Sequence, residues 1–405
     1  MKKTITHDPE SLALAIAQRG AREGAELLLS HDDATAVAAL RAVNPAVAQD
    51  LLAEVSDEHR SRLLAAATRS EAGQWVRNET YDEGTIGNMM EAPTATFAPE
   101  VTVGAAVESI RELVKHTFVT YGFVVDEAGN LLGIVTMRDL LLSDRAAALR
   151  DIMLTDPFYL TPELELREAM KLVLNRHFPV YPVCDANRHL LGEIRGQAMF
   201  EEQAYEISAQ AGTMVGVDRE ERLATPWQRS LKFRHPWLQL NLLTAFVAAA
   251  VVGAFQETID QIVILAVFLP VLAGQSGNTG CQALAVALRG LTLGELAPGK
   301  ERALVIKEGF LGLLNGALVG LTAGAGMFFV AHAQGNPKAL QLAMIVFVAM
   351  IASCVISGVA GALIPLTLRK LGADPATASS IFLTTATDVA SMGIFLGLAT
   401  MFVLR

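Results

Sequence analysis

Five apolar stretches, each of 20 residues or more, crowd the C-terminal part of this 405-residue chain and constrain its fold more than any other feature. They run Trp237–Gln256, Ile262–Leu288, Gly309–Ala331, Leu340–Leu368 and Ile381–Leu404. A helix rises about 1.5 Å per residue, so roughly 20 apolar residues cross a hydrocarbon core about 30 Å thick. A soluble domain seldom offers five such helices, so the stretches predict a polytopic helical membrane domain in a lipid bilayer.

The charge divides the chain in two. Residues 1–230 carry 22 Lys and Arg against 35 Asp and Glu, whereas residues 231–405 carry 10 against 7. An acidic soluble half disfavours nucleic acid as a partner, because phosphate binding needs a basic face. It suits solubility, and equally a divalent cation that prefers carboxylate oxygens. The cysteines, Cys184, Cys281 and Cys354, are scattered and odd in number, which fits neither a disulfide framework nor a zinc site. The opening MKKTITHDPE is charged with no apolar run behind it, so no signal peptide is expected and the N-terminal half is expected in the cytoplasm.

Basic residues in the short loops orient the spans. Arg229, Lys232 and Arg234 precede the first; Arg289, Lys300, Arg302 and Lys307 lie between the second and third; Arg369 and Lys370 lie between the fourth and fifth. The other side has Lys338 and Arg405, so the N-terminal half is expected inside and the C-terminus outside a bacterial inner membrane. Glu257 and Asp260 fall in the outer turn between spans one and two, either as a solvated loop or as a mouth that concentrates cations.

From Pro9 to Arg69 the chain reads as a small Ala- and Leu-rich bundle, with turns near Gly20, Ser30–Asp33, Asn44–Pro45 and Ser56–Asp57. Leu51, Leu52, Val55, Leu63 and Leu64 recur at helical spacing and predict its core. Two segments with one internal pattern follow. IGNMM (86–90), a helix around 103–114 and YGFVVDEAGNLLGIVTMRDLL (121–141) form the first. IMLTDP (152–157), a helix around 166–175 and FPVYPVCDANRHLLGEIRG (178–196) form the second. Each reads as a helix, two short strands around a turn, and another helix.

This repeat resembles a pair of CBS domains, which associate pseudo-symmetrically and often hold adenine nucleotides. The resemblance implies that Thr136 and Asp139 meet phosphate and ribose of ATP, whereas the second repeat has Gly196 and Met199 at those positions. The stretch Met199–Arg234 carries Glu201, Glu202, Glu206, Asp218, Glu220 and Glu221. Glu202 and Glu206 are spaced to share a helical face. The stretch is either a solvated connecting helix or a metal-sensing lever.

The second span contains PVLAGQSGNTGCQ, from Pro270 to Gln282. Proline, glycines and an asparagine at that depth predict a broken or weakened helix beside a wet cavity, or close helix packing through the glycines. The fifth span holds Asp388 among apolar residues, with Thr384 and Thr385 on the same face. A carboxylate near the bilayer centre costs roughly 2.5–3.5 kcal/mol and commonly marks an ion path. Carboxylate and hydroxyls give an all-oxygen lining suited to Mg²⁺ or Ca²⁺ rather than a soft metal. No Ser/His/Asp set, histidine pair or phosphate loop accompanies them, so no enzyme is expected.

PVLAGQSGNTGCQALAVALRGLTLGEL, LRKLGADPA (368–376) and TTATDVASMGIFLGLA together resemble the membrane domain of the MgtE family of magnesium channels, and RHPWLQLNLLTAF (234–246) resembles that family's entry into its first span. The resemblance covers nearly the whole chain. It implies a multidomain fold: an all-α N-terminal bundle (1–80), an α/β CBS pair (81–145 and 146–200), a connecting plug helix (201–235) and a five-helix transmembrane domain (236–405). It implies a homodimer with one Mg²⁺ pore lined by the second and fifth spans. It places Asp388 at the central site and Gly277, Asn278, Gly280 and Gln282 on the pore motif, and the residue pattern adds Thr384 and Thr385 to the expected ion site and Pro270 and Gly274 to the expected motif. The resemblance also implies that Mg²⁺ held by the cytoplasmic carboxylates closes the pore and that ATP on the CBS pair modulates closure. Ser276 and Ser391 replace common glycines of the family, Gln256 a common glutamate, and the N-terminal domain is short. Competing readings are a carrier of Co²⁺, Mn²⁺ or Ca²⁺, an exporter, and a membrane-anchored nucleotide or metal sensor.

Overall fold

The computed structural model describes residues 8–115, 119–176, 178–296, 299–373 and 375–404. It divides into two compact units, Met1–Ser208 with Glu220–Pro226, and Ala209–Arg219 with Trp227–Arg405.

The first unit begins with six helices: Pro9–Ala17, Ala21–Leu28, Asp33–Ala42, Pro45–Glu54, Asp57–Ala66 and Arg69–Asn78. Their breaks fall at the turns expected from the sequence, and four of the six starts carry a side-chain cap. Asp8 and Asp32 accept the backbone N–H three residues on, Asn44 precedes a proline at the first helical position, and Thr68 with Glu71 closes a capping box. Leu12, Ile16, Leu28, Leu40, Leu51, Leu52 and Leu63 fill the core between them. Leu64 is only partly buried.

A four-stranded sheet follows, β1 (Thr96–Phe97), β2 (Tyr121–Val125), β3 (Leu131–Thr136) and β4 (Leu154–Thr155), in that order, with β1–β2 parallel and the rest antiparallel. The hairpin β5 (Val180–Cys184) and β6 (Leu190–Arg195) repeats β2–β3 down to its irregularity, since the register shifts at Val124/Val125 and again at Val183/Cys184. The two hairpin turns bond to each other, Leu131 N to Arg188 O at 2.9 Å and Leu190 N to Gly129 O at 3.0 Å. Gly129 is required there: its φ is +83°, and an added Cβ would lie 2.5 Å from the His189 ring. The stretch read as one helical connection is two pieces, a helix Gly196–Thr213 and a turn through Gly216, before the next helix opens at Trp227.

The second unit holds five helices long and apolar enough to cross a membrane. In chain order the spanning helices are Trp227–Ala254, Ile264–Thr292, Glu301–Ala333, Ala339–Lys370 and Pro375–Ala399, and a π-helical turn, Thr400–Leu404, extends the fifth. The first opens ten residues before the apolar run does, because Pro236 sits inside it without ending it. The second is continuous from Ile264 to Thr292, which corrects the expectation of a break at PVLAGQSGNTG. Pro270 falls in the second turn, where one lost hydrogen bond is tolerable. Of its glycines, Gly280 is closely packed against a neighbouring helix, whereas Gly274 and Gly277 stay in the helix with open space beside them.

Glycine also sets the packing of the third helix on the fourth. Gly312, Gly316, Gly320 and Gly324 recur every four residues, and a Cβ on Gly316 would lie 2.8 Å from Ile351 Cα. With no hydrophobic force to join helices in lipid, such close approach supplies the dispersion contact. The fourth helix is the most enclosed of the five and the first the least, with only Ala248 buried among the described residues of the first.

Candidate ion pathway and regulatory sites

The second helix has two unlike faces. Pro270, Gly274, Gln275, Asn278, Cys281, Gln282 and Ala285 are exposed, at the three- and four-residue spacing of one stripe. Leu272, Ser276, Gly280, Ala283 and Leu284 are buried along the other. Of the motif residues expected at the pore, Pro270, Gly274, Asn278 and Gln282 share the open stripe. Gly277 borders it, and an added Cβ there meets nothing within 4 Å. Gly280 lies on the packed side, where a Cβ would stand 3.0 Å from Leu383 and 3.2 Å from Thr387 of the fifth helix. A backbone-level contact on that side, Gly361 against the Gly280 carbonyl, leaves only 2.4 Å for a Cβ.

Gly361 belongs to the fourth helix, and it is Leu383 and Thr387 against Gly280 that set the fifth helix beside the second. Leu383, Thr387 and Ser391 are fully buried along one line, and Asp388 is next in the chain after Thr387, half-buried. Among the described residues no hydrogen bond or ion pair reaches the Asp388 carboxylate. The nearby hydroxyls are turned to the backbone. Thr384 Oγ1 donates to Ser380 O at 3.0 Å, Thr385 Oγ1 to Ile381 O at 2.8 Å, and Ser391 Oγ to Asp388 O at 3.2 Å. Each hydroxyl oxygen keeps lone pairs for a cation or its water. Glu308, in the third helix, is a second buried carboxylate of this unit and has Lys307 Nζ at 3.5 Å.

In the first unit, Thr136 and Asp139 form a reciprocal cap on the helix Met137–Leu142. Thr136 Oγ1 donates to Asp139 Oδ2 at 2.6 Å, and Asp139 N donates to Thr136 Oγ1 at 3.2 Å. The Thr136 hydroxyl holds the Asp139 carboxyl below the usual carboxylate range, against a smaller opposing effect of burial. Sequence reading missed Thr120. It precedes Tyr121, the register partner of Thr136, and its buried Oγ1 has no hydrogen-bond partner among the described residues. Its place just before a repeat strand was the available signal. At the corresponding place in the second repeat, Gly196 and Met199 are both buried and supply no polar pair.

Among the described residues no three His, Cys, Asp or Glu side chains are placed to hold a metal. Glu201 and Glu202 instead line a cavity of about 650 Å³ together with Glu10, Tyr205 and Arg222. The Arg222 guanidinium stacks on Tyr205 at 4.0 Å, and Asn44 Nδ2 donates to Ala198 O at 2.9 Å. Glu10, nearly two hundred residues away in sequence, went unnoticed in the sequence because nothing local marks it. Glu206, Glu220 and Glu221 do not line this cavity, and Asp218 belongs to the second unit.

Fold and site together define a polytopic helical membrane protein with a CBS pair. Residues 269–398 match the MgtE family model, described as a divalent cation transporter, and residues 86–145 and 149–197 match the CBS domain. The chain is 30% identical over 333 residues to a magnesium transporter MgtE of Enterococcus faecalis, covering 82% of this chain and 72% of that one. It is 28% identical over 372 residues to a magnesium transporter MgtE of Thermus thermophilus, covering 91% and 78%. A solved structure of the cytosolic domain of the Mg²⁺ channel MgtE in complex with ATP matches 48% of this chain and 80% of that one, at 22% identity and a TM-score of 0.43. The chain belongs to the MgtE family, a family of transporters rather than enzymes.

Proposed function

We propose that two copies of this chain form one Mg²⁺ channel in a bacterial inner membrane, with the N-terminal half in the cytoplasm and Asp388 of each copy at the central ion site. The observation that carries this reading is the Asp388 carboxylate, half-buried in a spanning helix and met by no donor among the described residues. A charge left so in a low-dielectric setting is costly unless a cation answers it. Two such carboxylates across a shared axis repel, and a divalent ion between them removes the repulsion. Mg²⁺ gives up its waters reluctantly, so the carboxylates, Thr384, Thr385 and Asn278 act on it through its hydration shell. The open stripe of the second helix supplies amide and backbone oxygens rather than charge, and Gly274 and Gly277 keep it wide.

The regulatory half acts on this pathway in two ways. Mg²⁺ gathered by Glu201, Glu202, Glu206, Asp218, Glu220 and Glu221 favours the closed state, with Glu10 added because it shares the cavity of Glu201 and Glu202. ATP held by Thr136, Asp139 and Thr120 modulates that response. The test is flux into proteoliposomes for Mg²⁺, Ca²⁺, Mn²⁺ and Na⁺, with wild type and Asp388→Asn. Mg²⁺ flux should dominate and collapse in the variant. A dominant Mn²⁺ or Ca²⁺ flux would replace the ion, and unchanged flux in folded, dimeric Asp388→Asn would sink the pore assignment.

A further inference from the structure

Where the second, fourth and fifth spanning helices meet, the apolar core is interrupted. One cluster joins Phe268 and Leu272 of the second helix to Val346 and Met350 of the fourth and Phe395 and Leu396 of the fifth. A smaller one joins Leu284 and Leu288 of the second to Leu383 of the fifth, with Ala360 and Ile364 of the fourth packed against it. Between the two clusters the buried positions are Ser276, Gly280 and Ala283 on the second helix, Ser353 and Ser357 on the fourth, and Thr387 and Ser391 on the fifth. None is larger than threonine. Asp388, next to Thr387 in the chain, belongs to the same level of the fifth helix.

The hydroxyls of this layer fall into two kinds. Ser276 Oγ donates to Ala273 O at 3.1 Å, Thr387 Oγ1 to Thr384 O at 3.0 Å and Ser391 Oγ to Asp388 O at 3.2 Å, the local bond of a helical hydroxyl. Ser353 and Ser357 make no such bond. Both are 0% exposed, they lie one turn apart on one face of the fourth helix, and neither Oγ has a hydrogen-bond partner among the described residues. Gly361 continues their line by one turn and lies against the Gly280 carbonyl and Ala283, so the line faces the second helix. A buried hydroxyl left unbonded is costly, and the hydrocarbon of a membrane offers it nothing. These side chains carry no charge to balance an ion. Water, in contrast, accepts from an O–H and donates to the lone pairs that Ser276, Thr387 and Ser391 keep.

We infer that this layer is a water-binding site, in which ordered water accepts from Ser353 and Ser357 and is shared with the bonded hydroxyls of the second and fifth helices. The small side chains leave it room between the two apolar clusters. Its bonds tie the fourth helix to the two that carry the candidate ion pathway, at the level of Asp388. Such a site does not depend on which ion the protein conducts.

The test uses the full-length protein in nanodiscs. In an electron cryomicroscopy map that shows ordered solvent, density should lie within hydrogen-bonding distance of both Ser353 Oγ and Ser357 Oγ, and Ser353→Ala/Ser357→Ala should remove it. The double variant should also lower the temperature of thermal unfolding by at least about 3 °C, because the bridge loses both donors. Thr367→Ala, which removes a hydroxyl bonded to Leu363 O on the exposed face of the same helix, should shift it by less than about 1 °C. Should the double variant fold poorly, Ser357→Ala alone gives both readings with one donor kept. An unfolding temperature unchanged or raised by the alanines, the result for dry hydroxyls relieved of their burial cost, would overturn the inference. Solvent density missing from the wild-type map would overturn it as well, and so would an equal loss of stability in Thr367→Ala.

Discussion

Three partly or fully buried acids are treated differently in the two units of this molecule. In the first unit Asp139 and Glu193 have donors. Asp139 is capped by Thr136, and Glu193, on β6, accepts from Thr94 N at 3.1 Å and Thr94 Oγ1 at 2.6 Å. In the membrane unit, Asp388 has none among the described residues. The contrast separates acids bonded within the fold from one with no bond among the described residues. A carboxylate satisfied by its own chain has little left to offer an ion, and one left unsatisfied in a low-dielectric setting is stable only when something else arrives.

The sharpest way to break the contrast is to exchange the acids for their amides. Asp388→Asn should lower Mg²⁺ flux more than about tenfold and weaken discrimination against monovalent ions while the protein still folds and dimerises. Asp388→Glu, which keeps the charge and narrows the passage, should be impaired less. Radiotracer uptake and gel filtration on the same preparations separate transport from folding.

Glu193 should affect stability and its pH dependence instead. Burial pushes its carboxyl from an ordinary 4.5 up to about 7, outweighing the Thr94 hydrogen bonds that pull it down. The folded state therefore holds this proton more tightly than the unfolded one. Its contribution is full below about pH 4.5 and lost as the pH rises through about 7. Glu193→Gln, which resembles the protonated acid, should flatten this part of the profile by about 3 kcal/mol. Thermal unfolding of the soluble signal at several pH values between 4 and 8 reads it, and an unchanged pH slope in the variant would remove Glu193 as its source.

Asp139→Ala should do two smaller things. Loss of the reciprocal cap costs about 0.5–1 kcal/mol, and ATP should bind roughly tenfold more weakly for want of one charge-assisted hydrogen bond. Calorimetry on the full-length protein measures the second effect, and no ATP heat from wild type would end the nucleotide reading. The smallest expected change is in protease sensitivity. Millimolar Mg²⁺ should slow cleavage between Met199 and Leu231 several-fold by relieving repulsion among the local carboxylates. Identical digestion with and without the ion would argue for a passive connection.

Much of this could be read without coordinates, and the particular residues show why. The five spans follow from composition alone, because twenty apolar residues in a row have few other uses. The paired hairpins follow from a pattern repeated within the chain, which the matching irregularities at Val124/Val125 and Val183/Cys184 bear out. Asp388 is conspicuous because an acid in such a run is expensive wherever it points. The expected break in the second helix was wrong, because proline and glycine counts measure only local propensity. The helix there is held by Leu383, Thr387 and Gly361 of its neighbours.

The sequence by itself determined the kind of protein: a soluble acidic half with a CBS pair, five spans, and one charge that needs explaining. Only the tertiary structure decided which glycines line an open face and which are close contacts, since Gly277 and Gly280 look alike in the chain and differ in what lies opposite them. It also placed Glu10 with Glu201 and Glu202, left Thr120 without a partner beside Thr136, and buried Glu193 against Thr94. The physical reason is the same each time. Propensity, hydropathy and charge are properties of a residue and its near neighbours, whereas the cost of an unmet donor, acceptor or charge depends on residues that only folding brings close.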